Sequence, residues 1–386
     1  MIQLINVHCH LLNFDFISPT CFKSRSASLE WMLRHKHSRP LVRVVAAAMP
    51  RRKLHRLHEI YDLMRMDIRD VAKRLRQEMM MSGIQLATPL IMDLGRTAFT
   101  ENPQVPFNFQ VKLISDISLD HLGVIMPFVM VDPRRSRATD LLARCLTELG
   151  FLGFKMYPAL GYHPDPASIY NDPQTNDELK KIYDYCEHER IPITVHCSPG
   201  GAYSNDILRQ KAVRAEVTQP SSWVGVLKKY PKLQLNLGHF GQDLTDINNP
   251  NTWSYQIREL IRAYPGVYTD LAYNKAGLEE RTSKAYFASL VQILDDDPVL
   301  CNRVLFGTDW SMPRHTWTEM EYVRPFRQLG EGRLRRIAFE NSLDFLFPER
   351  KYPERLANFL TANGKRVSEL PQHLIANLKF SQARGW

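Results

Sequence analysis

Two histidines separated by one residue, His8 and His10, close the apolar run that opens this chain, in which Ile2, Leu4, Ile5 and Val7 supply the branched side chains of a strand buried on both faces. Side chains alternate between the faces of a strand, so His8 and His10 project to one side and Cys9 to the other. Two imidazoles then converge on one point at the strand's end. Three further segments follow the same recipe: His196 closes IPITVHC, His239 closes LQLNLGHFG and Asp309 lies in VLFGTDW, each followed by a turn signal (CSPGG, FGQD, WSMP). Ligands delivered from the same end of several parallel strands are how a barrel enzyme assembles a metal site.

Apolar runs bounded by Gly, Pro and Asp predict eight strands, near 2–10, 84–92, 124–131, 151–157, 191–196, 233–239, 266–271 and 303–309. Amphipathic helical segments lie between them: Arg137 to Leu149, Asn176 to Glu189, Ser221 to Tyr230, Thr252 to Tyr264, Ser283 to Leu294 and Glu319 to Gln328. Alternating strand and helix, with Val/Ile-rich strands, predicts a parallel sheet, and eight such units predict closure into a (β/α)₈ TIM barrel. The histidines and Asp309 would then sit on the first, fifth, sixth and eighth strands, all at the C-terminal mouth.

The 386 residues fit one barrel, residues 1–350, with an elaborated mouth. The elaboration is a helical insertion over about 11–82, with helix expected at Ser28 to Arg34 and again from Lys53 to Met81, read as a cap over the mouth or a subunit contact. Residues 351–386 form an extension with helical stretches at Glu354 to Thr361 and His373 to Lys379. The insertion is very basic (RHKHSRPLVR, MPRRKLHRLH), which raises nucleic-acid binding, but no nucleic-acid motif accompanies it. The formal charge of +9 fits an anionic small-molecule substrate equally well. No apolar run of about 18 residues suggests a membrane span. With a first strand starting at Ile2 and six cysteines in no paired framework, a cytoplasmic protein with reduced thiols is expected.

Together, the HxH, TVHCSPGG, GHFG and GTDW segments, with GFKMYPALGYHP and FENSLDFL, resemble the amidohydrolase superfamily, in its amidohydrolase-related branch that includes aminocarboxymuconate semialdehyde decarboxylase. The resemblance spans about Ile2 to Leu346 and implies a distorted barrel with a divalent metal, usually zinc, at the mouth, and a homodimer, with the long insertion a sensible place for its contact. It implies His8, His10, His196 and Asp309 as ligands of one Zn²⁺, with Mn²⁺ as the other candidate ion. His239 and Asp309 are then the catalytic pair, His239 as acid/base or electrostatic stabiliser. Lys155, in LGFKMYP, occupies the place where some branches carry a carboxylated lysine bridging a second metal. The one-metal reading instead makes it a substrate-carboxylate contact. Tyr157, Tyr162 and His163 follow on a loop expected to overhang the mouth and touch substrate.

Zinc in a catalytic site keeps one position open and lowers the pKa of its water to about 7, which makes a nucleophile at neutral pH. The TVHCSPGG and GYHP loops look more like those of the family's hydrolases than of its characterised decarboxylases, so the resemblance makes the leading expectation a metal-dependent hydrolase acting on an amide, ester or lactone-type bond of a small anionic substrate. The second is non-oxidative decarboxylation of a small carboxylate. The third is an inactive barrel that binds a ligand or nucleic acid.

Overall fold

The computed structural model describes residues 3–17, 36–48, 55–94, 103–201, 216–242, 244 and 247–381. Eight strands run in sequential order, all neighbours parallel: β1 (Leu4–Cys9), β2 (Ile84–Ile91), β3 (Phe128–Met130), β4 (Gly153–Met156), β5 (Ile193–Val195), β6 (Leu235–Leu237), β7 (Val267–Asp270) and β8 (Val304–Leu305). The last strand returns to the first. Val7 N–H donates to Phe306 O, Asp309 N–H donates to His8 O at 2.7 Å, and Cys9 bridges Trp310 in parallel. The predicted (β/α)₈ barrel is the observed fold, and every expected strand is present within its predicted range.

The two-residue period explains the layers. Phe154, Met156, Ile193, Val195, Leu235 and Leu237 share one apolar cluster with helix residues such as Leu142, Leu179, Ile182 and Ile257. The alternate residues Lys155, Thr194 and Asn236 point the other way, into the barrel, and stand in register across β4, β5 and β6. A polar row therefore crosses the interior just below the mouth. Beneath it, Ile5, Val7, Leu86, Leu90 and Phe128 pack with Leu356, Phe359, Leu360 and Leu374 of the C-terminal segment. Arg355 from that segment donates to the carbonyls of Leu146, Phe151 and Leu152, so this part of the extension packs on the barrel.

β1 departs from plain alternation. Asn6 pairs with Ala87 and Cys9 with Pro89, three residues against two, so β1 carries a bulge. Asn6 bonds Thr308 and Glu319, while His8, two residues on, bonds Asp270.

The expected barrel helices appear at Ala138–Glu148, Pro173–His188, Val224–Lys229, Trp253–Ala263, Glu280–Asp296 and Glu319–Val323. Helices at Arg39–Ala48 and Phe107–Asp120 were not expected. The single long helix expected from Lys53 to Met81 is instead two, Leu57–Met64 and Ile68–Ser82. Asp67 divides them: its side chain accepts from Arg69 N–H at 2.8 Å, an N-cap that starts a new helix rather than continuing the old one. Gly83 ends the second helix in the left-handed region (φ 80°) and turns the chain into β2. The helix expected over Ser28 to Arg34 lies outside the described residues.

The insertion is tied to the loop after β8. Arg56 N–H donates to His315 O, and the buried Arg314 bridges Glu59 of the helix Leu57–Met64 and Glu78 of the helix Ile68–Ser82. Several basic side chains of this region face carboxylates, Arg39 with Asp62, Arg69 with Asp120 and Arg74 with Glu78, so part of its charge is answered within the fold. Among the described residues, no helix is long and apolar enough to cross a membrane.

Candidate metal centre

At the C-terminal mouth, four imidazoles and two carboxylates meet. His8 lies in β1 and His10 just beyond it. His196 follows β5, and His239 sits in the tight turn Gly238–Gly241 after β6. Asp270 is the last residue of β7, and Asp309 lies beyond β8. The exposures of these side chains are small, 1% for His8 and 0% for Asp270. His8, His10 and Asp309 each offer an atom within 4.8 Å of the others, and His8, His239 and Asp270 form a second such group. His196 belongs to neither group and joins the cluster through His239, its Nδ1 lying 3.1 Å from His239 Nε2.

Hydrogen bonds on the outer side of each ring fix where its proton sits. A carbonyl or ionised carboxylate only accepts, so a ring nitrogen facing one must carry the hydrogen. His10 Nδ1 faces Leu90 O at 3.1 Å, His239 Nδ1 faces Ala272 O at 3.0 Å, and His8 Nδ1 faces Asp270 Oδ2 at 2.8 Å. In His196 the pattern is reversed, with Nε2 facing Gly200 O at 2.8 Å. In each neutral ring the other nitrogen is then a lone pair. These lone pairs, His8 Nε2, His10 Nε2, His196 Nδ1 and His239 Nε2, turn toward one another or toward Asp309.

Such an array is unsatisfied without a cation. His8 Nε2 and Asp309 Oδ1 are buried with no hydrogen-bond partner, and Asp309 Oδ1 lies 3.1 Å from His10 Nε2 and 3.8 Å from His8 Nε2. Acceptors this close repel unless a proton or a metal ion stands among them. Nitrogen donors with one carboxylate suit zinc and related divalent ions, so the residues present fit the group. Asp270 differs from Asp309: its two oxygens already accept four hydrogen bonds, from His8 Nδ1, Asn236 Nδ2, His239 N and Ala272 N.

The electrostatics are those of a buried cluster of titratable groups. Burial drives the His8 imidazole down to about 4 despite Asp270 beside it. Burial also carries His196 well below the usual histidine range, with His239 and Lys155 adding to the effect. Burial alone would raise Asp309, but His10 at 3.1 Å, with His8 and His239 close by, outweighs it and holds the carboxyl down at about 2. Lys155 is wholly buried with no hydrogen-bond partner for Nζ, and desolvation lowers it to about 8 against the pull of Asp270 and Asp309.

Two of the cluster's residues adopt backbone conformations that non-glycine residues rarely hold, His239 at φ 69° and Asp309 at φ 59°. Such strain persists only where surroundings impose it. Here Asp270 accepts the His239 N–H at 3.0 Å, and His8 O accepts the Asp309 N–H.

The loop residues expected at the mouth divide. The Tyr157 ring stacks on His196 with centroids 4.5 Å apart, and Lys155 Nζ lies 5.7 Å from the Tyr157 centroid. Tyr162 is instead buried in the main core, its hydroxyl accepting the Tyr157 N–H at 3.0 Å. His163 holds the loop's own shape, its Nδ1 accepting from Asp165 N and its N–H donating to Asn171. The turns of a Pro/Gly-rich loop fold these two side chains back onto the protein, which their position in the sequence did not show. Conversely, Asp270 was not anticipated. Its segment VYTDLAY places an acid at the end of an apolar run, the same signal that singled out Asp309.

An eight-stranded parallel barrel gathering imidazoles and carboxylates at its C-terminal mouth has the architecture of a metal-dependent barrel enzyme. The family model described as amidohydrolase matches residues 5–347, and the chain belongs to that family. No curated protein matches it. Among solved structures it is similar in fold to 5-carboxyvanillate decarboxylase from Sphingomonas paucimobilis (12% identity, 90% of this chain and 99% of that one, TM-score 0.51). It is likewise similar to 2,6-dihydroxybenzoate decarboxylase from Rhizobium (16%, 90% and 99%, TM-score 0.52). A third is the 5-carboxyvanillate decarboxylase from Novosphingobium aromaticivorans complexed with manganese and 4-hydroxy-3-methoxy-5-nitrobenzoic acid (14%, 89% and 96%, TM-score 0.55).

Proposed function

We propose that this protein is a divalent-metal-dependent enzyme that removes carbon dioxide from a small carboxylate. The observation that carries the reading is Lys155: a buried ammonium without a hydrogen-bond partner, in the same chamber as the inward-facing lone pairs. A carboxylate is the ligand such a cation is built to receive. The similar decarboxylases act on hydroxylated benzoates by name, and one is complexed with manganese and a benzoic acid.

In this reading His8 Nε2, His10 Nε2, His196 Nδ1 and Asp309 Oδ1 hold the ion, with zinc the first candidate and manganese the second. The ion, when bound, supplies positive charge to substrate oxygens and stabilises negative charge that develops as the bond breaks. Lys155 Nζ holds a substrate carboxylate, and Tyr157 forms the wall beside His196. In decarboxylation the bonding pair stays on the substrate carbon, which then takes one proton. His239 Nε2 is the atom placed to carry that proton, because its Nδ1–H is committed to Ala272 O. The buried surroundings exclude bulk water from the developing charge.

Hydrolysis is the second reading, and His239 favours it. The same Nε2 lone pair can take a proton from attacking water, and then no carbon dioxide is released. The test is to load the protein with Zn²⁺ or Mn²⁺ and offer hydroxylated benzoates beside lactones and amides of small carboxylates, measuring carbon dioxide and acid release separately. Metal-dependent carbon dioxide release abolished by Asp309→Ala supports the first reading. Acid release without carbon dioxide establishes hydrolysis, and a protein that binds no divalent ion under any condition overturns both.

A further inference from the structure

Asp270 touches two of the clustered histidines, yet its oxygens are too fully engaged to bind an ion. We propose that Asp270 is a positioning residue that fixes the tautomer of His8, so that Nε2 of that ring faces the chamber as a lone pair able to bind a divalent cation. The inference rests on the metal-centre reading above and explains why His8 presents a donor there.

The argument is one of donor and acceptor counting. Asp270 Oδ1 accepts two backbone N–H groups, His239 and Ala272, each at 3.0 Å. Oδ2 accepts His8 Nδ1 at 2.8 Å and Asn236 Nδ2 at 2.7 Å. All of these groups are buried, so none can turn to water instead. An acceptor-only group therefore faces His8 Nδ1, and the ring has no choice but to put its hydrogen there. Each other ring proton is held by a backbone carbonyl, which no side-chain substitution removes. His8 alone depends on a side chain.

Asp270→Asn exposes this dependence. The two backbone donors cannot rotate, so the amide oxygen must occupy the Oδ1 position and the amide NH₂ falls opposite His8. The reverse orientation would set three donors against one another. Facing an NH₂, His8 Nδ1 must accept, its hydrogen moves to Nε2, and Nε2 can no longer bind an ion. Asn236 can answer the same NH₂ by rotating its own amide, since its Oδ1 has no hydrogen-bond partner. The substitution thus reverses one tautomer with little change in shape.

The experiment uses the whole metal-free protein labelled with ¹⁵N-histidine, with the His8 signals assigned by their loss in His8→Gln. Long-range ¹H–¹⁵N correlation reads the tautomer, and zinc affinity is measured by competition with a chelator. The expected result is Nδ1–H in the parent, Nε2–H in Asp270→Asn, and zinc binding weakened about 10- to 100-fold in that variant. Nε2–H in the metal-free parent overturns the proposal, and that arm stands even if the variant fails to fold. An Asp270→Asn protein that keeps Nδ1–H and parental zinc affinity also overturns it. A parent with Nδ1–H, a switched variant and no zinc binding by either upholds the tautomer lock while removing the metal-centre reading.

Discussion

His196 Nδ1 lies 3.1 Å from His239 Nε2, while the opposite nitrogen of each ring faces a backbone carbonyl, Gly200 O and Ala272 O. Two neutral rings so arranged present lone pair to lone pair. The contact is repulsive unless one ring is protonated or an ion is shared nearby. Burial disfavours a proton on His196, whose imidazole is carried well below the usual range. The relationship therefore stores a demand for a cation.

Binding a divalent ion should relieve that demand. At a free concentration about 100 times its dissociation constant, Zn²⁺ or Mn²⁺ is expected to stabilise the protein by about 2.7 kcal/mol. His10→Ala and His196→Ala should lose most of the gain. Thermal unfolding with and without a chelator is the measurement, and identical midpoints in the parent would contradict the prediction.

Lys155 should reveal itself through pH. Its folded value of about 8 lies below the ordinary 10.5, so between those values the unfolded chain binds more protons. Stability of the metal-free protein gains a contribution that rises with pH across that window. Lys155→Met should remove it, as denaturant titrations at pH 7.5 and 10 would show. In the loaded enzyme the same variant is expected to lose about 10- to 150-fold in kcat/KM, the equivalent of a charged hydrogen bond worth about 1.5–3 kcal/mol.

His8 acts at the acid end. It is held near 4 against an ordinary 6.5, so as pH falls through that interval the unfolded chain takes up a proton that the folded chain refuses. Stability should drop over this window in metal-free protein, and His8→Gln should flatten the drop. Urea unfolding at pH 7 and pH 5 compares the two proteins, and equal losses would count against a neutral buried His8.

Glu319 carries the opposite sign. It accepts from Thr308 Oγ1 at 2.9 Å and Asn6 Nδ2 at 3.2 Å, and burial pushes it up to about 8 from 4.5, with Glu78 adding to the rise. Its folded form keeps a proton that the unfolded form releases, so its contribution is lost as pH rises from 4.5 to 8. Glu319→Gln should abolish that loss. Glu319→Ala should cost about 1–3 kcal/mol, because it takes an acceptor from buried donors beside Asp309 and His8. Chemical denaturation of both variants tests this.

Local chemistry along the chain determined the barrel and much of its mouth. Branched apolar runs ending at His8, His196, His239 and Asp309 were legible because the two-residue period of a strand and the turn signals after it are short-range properties. The bulge in β1 was not legible, since it depends on pairing Asn6 with Ala87 and Cys9 with Pro89 across the sheet. Nor was the burial of Tyr162, which follows from how its loop folds back on Tyr157. The break at Asp67 was readable in principle, as an N-cap residue inside an apolar periodicity.

What only the tertiary structure decided is which nitrogen of each ring faces inward. Leu90 O, Gly200 O, Ala272 O and the Asp270 carboxylate set the four ring protons, and three of these acceptors are backbone atoms whose residue types carry no mark of the role. A histidine in a sequence has two equivalent chances to bind a metal. Hydrogen bonds closed across the barrel, as that from His8 to Asp270, remove one of them.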